Sequence, residues 1–247
     1  MSKLLITSGC SFSDARNGTS FTNVLINEHQ DKFPEQIHLG LGSQANDVIS
    51  RKAVAHILEH QGRDITLIIY WSTPERKAFL TDDTARFSPE YARPFKSGWL
   101  VPVPQGIDYH NRELDCGWSW FTGQETGHIE LSDVWYKTYD SEQQNLENIL
   151  SNMLTVQLVC EKYGVEYHYA HINGAFSELW EKYAHSFFTQ PYRTMLDNQY
   201  DIMEGNNVYD YVKSLNYDDL YFSAPGDFHP SFSGHKQVLD KFLLPRL

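Results

Sequence analysis

The residues of this sequence that could perform acyl-transfer chemistry lie in three short segments. The first is residues 8–13, in which Ser11 follows an apolar run at the start of the chain. A serine at the carboxyl end of a strand can act as a nucleophile when a nearby base removes its proton. Backbone N–H groups of the same turn can bind the oxyanion that forms on attack. A serine turn that only caps a following helix is the alternative interpretation.

The second segment is a glycine-rich turn, residues 38–46, which leads from an apolar run into a helical pattern. Turns and helix starts of this kind leave backbone N–H groups unpaired, and such groups can hold negative charge. The N–H groups of this turn could therefore hold a developing oxyanion. An ordinary helix entry, capped by Ser43 or Asn46, would produce a similar pattern.

The third segment, residues 226–235, contains a histidine just before the final helical pattern. His229 is preceded by Asp227 and followed by Pro230. An imidazole oriented by a carboxylate is the usual base for a serine nucleophile. In an extended segment, side chains at i and i+2 point to the same side, so Asp227 could orient His229. A solvated loop with a proline stop signal is the alternative.

Taken together, the three segments resemble the motif blocks of the SGNH (GDSL-like) hydrolase superfamily. Gly9-Cys10-Ser11 resembles the first block, Gly40-Leu41-Gly42-Ser43 the second, and Asp227-Phe228-His229-Pro230 the last. The order of the blocks extends over nearly the whole chain. The resemblance implies a three-layer α/β/α sandwich with a mainly parallel, flavodoxin-like sheet. It also implies a serine ester hydrolase, of the esterase or carbohydrate deacetylase type.

The same resemblance assigns a role to each candidate residue. It implies that Ser11 attacks the carbonyl carbon, that His229 accepts the serine proton, and that Asp227 holds the imidazole in one tautomer. The family's pattern places the acid three residues before the histidine, whereas Asp227 lies two residues before His229. The oxyanion hole implied by the resemblance consists of Ser11, Gly42, Ser43 and Thr73.

The sequence departs from the family's pattern in other blocks as well. Cys10 replaces the aspartate of Gly-Asp-Ser, and Ser43 falls where counting places the glycine donor of the second block. The third block, Gly-x-Asn-Asp, corresponds here to residues 71–74, Trp-Ser-Thr-Pro. Thr73 or Ser72 would therefore take the place of the oxyanion asparagine.

Residues beyond the third predicted strand are candidates for substrate contact. We predict that Trp71 and Arg76 bind substrate, because Arg76 could hold a carboxylate or a phosphate. An ion pair between Arg76 and Glu75 or another neighbour is the alternative. The aromatic residues that follow could form a lid or a sugar platform, or else a satellite core that packs the insertion. They are Trp99, Tyr109, Trp118, Trp120, Trp135 and Tyr136.

Two other functions fit parts of the sequence. Residues 10–16 form a Cys-x5-Arg loop from Cys10 to Arg16, which resembles the phosphate loop of small tyrosine phosphatases. The loop lacks glycines, and the chain contains no Asp-Pro for the usual acid loop. A domain of the SGNH type that binds a carbohydrate or a protein without catalysis is the other possibility, since the third block is degenerate.

The elements that must position these residues follow from the periodicity of apolar side chains. Four short apolar runs alternate with amphipathic helical patterns, which predicts an α/β fold with a mainly parallel sheet. Sites in such sheets form at the carboxyl ends of the strands. We expect a single domain, residues 1–247, with insertions at about 73–140 and 173–221. The predicted strands are residues 4–7, 37–41, 65–71 and 165–172, and the predicted helices are residues 45–61, 142–163 and 233–244.

Charge and composition narrow the classes of partner. The 247 residues carry a formal net charge of −12, which disfavours binding to nucleic acid or to an anionic membrane. The three cysteines form no metal cluster or disulfide framework, and HExxH is absent, so we expect no metal and no cofactor. A signal peptide and an apolar membrane span are not indicated, so we expect a cytoplasmic protein. The expected partner is a small-molecule or carbohydrate ester.

Overall fold

A five-stranded parallel sheet forms the centre of the molecule, with its strands in the order Ile107–Tyr109, Glu35–His38, Leu4–Gly9, Ile65–Trp71 and Glu166–His171. A two-stranded antiparallel sheet pairs Lys77–Leu80 with Trp118–Phe121. The computed structural model describes residues 3–15, 18–42, 44–80, 107–109, 118–121, 138, 140–215 and 229–247, with 77–80, 107–109 and 118–121 described by their backbone. The strands are β1 (Leu4–Gly9), β2 (Glu35–His38), β3 (Ile65–Trp71), β4 (Lys77–Leu80), β5 (Ile107–Tyr109), β6 (Trp118–Phe121) and β7 (Glu166–His171).

Helices precede or follow most of the strands of the large sheet. Short 3₁₀ turns occur at Ser11–Ser13, Asn198–Tyr200 and Leu244–Arg246, and a π-helical turn occurs at Leu239–Leu243. Within the described residues, no helix combines the length and the apolar character needed to cross a membrane. The α-helices are α1 (Phe21–Glu28), α2 (Asn46–Glu59), α3 (Glu142–Tyr163), α4 (Ala175–Lys182), α5 (Gln190–Met195), α6 (Val208–Ser214) and α7 (Phe232–Val238).

Two hydrophobic cores lie on opposite faces of the sheet, because successive side chains of a strand point to opposite sides. The first core packs α2 and α3 against one face, and the second packs α1, α6 and α7 against the other. All residues of β1 and β3 are buried, as expected for parallel strands covered on both faces. The predicted α/β/α architecture is therefore confirmed. Ile6, Ile49, Leu67 and Ile149 belong to the first core, and Leu5, Phe21, Ile68 and Val238 belong to the second.

Local signals predicted some element boundaries well and others less well. The predicted helix over residues 142–163 has those bounds, because Ser141 caps its first turn and Gly164 ends it with φ 66°. Strand β3 likewise has its predicted bounds. The second strand lies earlier than predicted, at Glu35–His38, although the N–H groups of Leu39 and Leu41 still donate to the carbonyl oxygens of Thr7 and Gly9.

The second predicted insertion, about 173–221, contributes to the main fold. Ile202, Met203, Val208 and Val212 are buried in the second core. Helix α6 contacts α7, and α3 contacts both α4 and α5. The described part of this segment is therefore not a peripheral loop, because its apolar side chains complete cores that the sheet alone would leave open. Most of the first insertion, about 73–140, lies outside the described residues.

Candidate active site

Ser11 and His229, the two residues predicted to react, lie in contact although 218 positions separate them in the chain. The distance between Ser11 Oγ and His229 Nε2 is 2.8 Å, which is a hydrogen-bond distance. Both residues are half-buried. Ser11 begins the 3₁₀ turn that follows β1, so the pair lies at the carboxyl edge of the sheet.

Two glycines allow the turn that carries Ser11 to fit against the neighbouring strands. Gly9 has φ +148°, and a Cβ atom there would lie 2.1 Å from Ser13 Oγ and 2.6 Å from the carbonyl oxygen of Tyr70. A Cβ atom on Gly40 would lie 2.3 Å from the carbonyl oxygen of Ser13. Because all three distances are far shorter than van der Waals contact, only glycine fits at either position in this conformation.

The start of α1 holds the other end of the same turn. The hydroxyl of Thr22 donates to the carbonyl oxygen of Ser13 at 2.8 Å, and Asn23 Nδ2 donates to the carbonyl oxygen of Ala15 at 2.7 Å. Ser20 and Asn23 form a reciprocal capping box at the N-terminus of the helix. These bonds tie the segment after Ser11 to an element that is itself anchored in the second core.

His229 is positioned by the start of the final helix. The Ser231 hydroxyl caps α7 by accepting a hydrogen bond from the N–H of Gly234 at 3.2 Å. Val238 anchors the helix in the second core. The ring of Phe12 lies 5.3 Å from the His229 ring, centroid to centroid, and supports its inner side. His229 thus reaches Ser11 from the short segment that leads into a helix anchored in the second core.

The contact between the two side chains is suited to general-base catalysis. When His229 is neutral with its proton on Nδ1, Nε2 can accept the hydroxyl proton of Ser11 as the oxygen attacks an electrophile. Asp227, the predicted acid, lies outside the described residues, as does Ser43 of the predicted oxyanion hole. The assignments of Asp227 and Ser43 therefore stay predictions.

Gly42 differs from its predicted role as an oxyanion donor. Its N–H donates to Asp14 Oδ2 at 3.0 Å. Asp14 is buried, at 2% exposure, so this carboxylate is held beside the turn rather than in solvent. The N–H of Gly42 therefore already has an anionic acceptor, and it could serve an oxyanion only after Asp14 moved away.

Asn46, a possible helix cap by sequence, joins the start of α2 to the end of β3 by hydrogen bonds. Asn46 Nδ2 donates to the carbonyl oxygens of Ser72 and Thr73 at 3.2 and 3.1 Å, and Asn46 Oδ1 accepts from the N–H of Ser72 at 2.8 Å. Thr73 Oγ1 is buried and has no hydrogen-bond partner in the part of the chain described here. An asparagine directly after a glycine-rich turn was the one sequence signal for this clamp.

Of the two predicted substrate-binding residues, Trp71 is placed in the core. Its side chain is fully buried, and its indole N–H donates to the Tyr167 hydroxyl at 3.3 Å. This contradicts the predicted substrate contact, because the first core covers the face of β3 from which Trp71 projects. Arg76 is half-buried, and its Nη1 has no hydrogen-bond partner among the described residues.

Other candidate groups near the same edge are sealed from solvent. His235 is 1% exposed, and burial together with the nearby His229 lowers its pKa to about 3. Burial also lowers the pKa of His171 to about 3. Cys10 is fully buried in the second core, so its sulfur does not face a substrate. Arg16 and the aromatic side chains of the first insertion lie outside the described residues.

Comparison of the chain with protein-family models, with curated proteins and with solved structures gave no match.

Proposed function

We propose that this chain is a serine ester hydrolase in which Ser11 is the nucleophile and His229 its general base. One observation carries the proposal: Ser11 Oγ and His229 Nε2 lie 2.8 Å apart at the carboxyl edge of a parallel sheet. A hydroxyl and an imidazole that approach from opposite ends of the chain, both half-buried, form the minimal unit of nucleophilic acyl transfer.

The reaction would proceed in two steps. Ser11 Oγ bonds to the acyl carbon while its proton moves to His229 Nε2, and the C–O bond to the alcohol breaks as His229 returns that proton to the leaving oxygen. Water then attacks the acyl-enzyme, with His229 again taking and returning a proton, so that the acid is released and Ser11 is restored. The first step gives the Ser11 proton to the departing alcohol, and the second restores Ser11 with a proton taken from water, so the whole cycle balances.

Arg76 supports a narrower substrate class than esters in general. Arg76 is a half-buried residue that follows β3 at the same edge of the sheet, and its Nη1 atom is buried and lacks a partner among the described residues. A carboxylate or phosphate on the ester would satisfy that donor. We include in the proposal a small-molecule or carbohydrate ester as substrate and a cytoplasmic, reducing location, since the described cysteines, Cys10 and Cys160, are both free thiols.

Covalent labelling tests the proposed nucleophile directly. A fluorophosphonate probe should modify the wild-type protein at Ser11, as mapped by peptide mass spectrometry, and should not modify Ser11→Ala. The Cys10→Ser variant is the matched control, because it alters the adjacent residue and should keep its labelling. Failure of the folded wild-type protein to label at high probe concentration would contradict the esterase proposal.

A binding domain without catalysis is the second candidate, and the bond from Gly42 to Asp14 favours it. That bond occupies an N–H that acyl transfer would use, and a buried carboxylate beside an oxyanion is repulsive. Binding of an unhydrolysed carbohydrate ester, with equal affinity in wild type and Ser11→Ala, would support this candidate. The phosphatase alternative is disfavoured because the Cys10 thiol is fully buried.

A further inference from the structure

Three side chains that can ligate metals meet at the last turn of α2. His56, Glu59 and His60 are spaced i, i+3 and i+4, so that they lie on one face of the helix end. One potential ligand atom from each residue lies within 4.8 Å of the other two. These residues form the pattern His-x-x-Glu-His, the reverse of HExxH, in which the two histidines keep the same separation of four residues.

The separation of His56 and Glu59 fits a shared metal ion. His56 Nδ1 lies 3.5 Å from Glu59 Oε2. Zinc binds nitrogen and oxygen ligands at about 2.0–2.2 Å, so two ligands of a tetrahedral ion lie about 3.4 Å apart. His60 supplies the remaining ligand atom, which lies within 4.8 Å of the other two, and its side chain is half-buried rather than enclosed in the core.

The tautomer of His60 is also suited to ligation. His60 Nδ1 lies 3.0 Å from the backbone carbonyl oxygen of His56. A carbonyl oxygen can only accept, so Nδ1 carries the hydrogen and Nε2 of the neutral ring carries the free electron pair. Histidines that bind metals commonly donate their second N–H to a backbone carbonyl in this way.

The electrostatic environment favours a cation. The carbonyl groups at the C-terminus of a helix carry partial negative charge, and Glu59 adds a carboxylate whose side chain is 49% exposed. Arg63, which follows in the next turn, pairs with Glu35 at 2.8 Å and so has its own carboxylate. The whole chain is acidic, with a formal net charge of −12.

We propose that His56, Glu59 and His60 form a zinc site, with water completing the tetrahedral shell. The site belongs to the opposite end of α2 from Asn46, a separation of roughly 20 Å along the helix axis. It would therefore take no part in chemistry at Ser11. A bound ion would link three side chains of the last turn of α2 to one another. The proposal does not depend on the hydrolase assignment.

Isothermal titration of untagged protein with Zn²⁺ tests the site. One ion should bind per chain, and His60→Ala should weaken binding at least about tenfold, since even the loss of an outer-shell partner costs that much. Glu59→Gln should also weaken it. His185→Ala, which removes an exposed histidine elsewhere, is the matched control and should bind as wild type does. Co²⁺ should give the visible absorption of a tetrahedral site in wild type and not in His60→Ala.

Two results would overturn the proposal. One is the absence of saturable binding when Zn²⁺ greatly exceeds the protein. The other is one-to-one binding that His60→Ala leaves unchanged, since the ion would then lie elsewhere. His60 is the residue to change rather than His56, because His56 is 8% exposed and its removal could disturb the packing of α2. Circular dichroism of His60→Ala separates a lost ligand from a lost fold.

Discussion

At the scale of single residues, the site depends on which histidine meets Ser11. His229 and His235 both lie near the ring of Phe12, at 5.3 and 5.8 Å between ring centroids. His229 keeps contact with both the serine and solvent, whereas His235 is buried and its lowered pKa, about 3, leaves it neutral. A neutral imidazole without access to the nucleophile cannot take its proton. The two histidines therefore have different chemistry because of burial rather than residue type.

Replacement of His229 by glutamine tests its role as the base. Glutamine can still hydrogen-bond to Ser11 but cannot accept a proton, so we expect kcat/KM for an aryl ester to fall by about 10²- to 10⁴-fold. Stopped-flow or steady-state hydrolysis assays measure this, with His185→Ala as the control that should keep wild-type rates. Hydrolysis by His229→Gln within twofold of wild type would mean that the imidazole is not the base.

At the scale of elements, the close approach of neighbouring backbone segments determines the conformation of the turn after β1. Gly9 and Gly40 approach Ser13 from β1 and from the segment after β2, while α1 donates two side-chain hydrogen bonds to the turn. Asn46 fastens the end of β3 in a similar way. Each neighbouring element thus limits the position of the nucleophile, which keeps Ser11 within reach of His229.

Gly40 and Gly42, which are two positions apart, provide a matched test of this packing. Gly40→Ala places a Cβ atom 2.3 Å from the carbonyl oxygen of Ser13, so the turn must shift, and we expect a loss of about 1–3 kcal/mol in the free energy of unfolding. A Cβ atom on Gly42 has its nearest neighbour at 3.8 Å, and Gly42→Ala should change stability by less than about 0.5 kcal/mol.

Urea unfolding and the rate of fluorophosphonate labelling would both be measured for these glycine variants. Labelling of Gly40→Ala should slow more than that of Gly42→Ala, because only the former displaces Ser11. Equal stabilities for the two variants would show that the turn relaxes freely and does not hold the nucleophile in place.

At the scale of the whole molecule, the two cores enclose several titratable groups. Burial lowers the pKa of His38, His171 and His235 to about 3 in the folded state. In the unfolded chain a histidine titrates near about 6.5. Between these two pH values the unfolded chain binds more protons than the folded protein, so unfolding becomes more favourable as the pH falls.

The free energy of unfolding should therefore decrease as the pH falls below about 6.5, with each buried histidine contributing up to about 1.4 kcal/mol per pH unit. The melting temperature should fall with it. His171→Phe should make this dependence shallower, because phenylalanine can keep the stack on Phe176, at 3.9 Å between ring centroids, and cannot titrate. Thermal unfolding from pH 7 to pH 4 measures both curves. Parallel curves for the variant and wild type would show that His171 is protonated in the folded state.

The sequence by itself determined the features that depend on neighbours along the chain. The apolar run of β3, the period of α3 and the ends of that helix at Ser141 and Gly164 are local, since each depends on the conformational preferences of a few consecutive residues. The candidate serine and histidine could be chosen because strand ends and helix starts are local signals as well. A parallel sheet with helices on both faces followed from the alternation of these elements.

The tertiary structure alone decided how distant groups are paired. It brought Ser11 to His229, gave the N–H of Gly42 to Asp14, and placed Trp71 in the first core. These outcomes depend on how two cores pack against one sheet. Side chains of the same type can therefore face solvent, a partner or the core, and short-range sequence patterns do not distinguish among them.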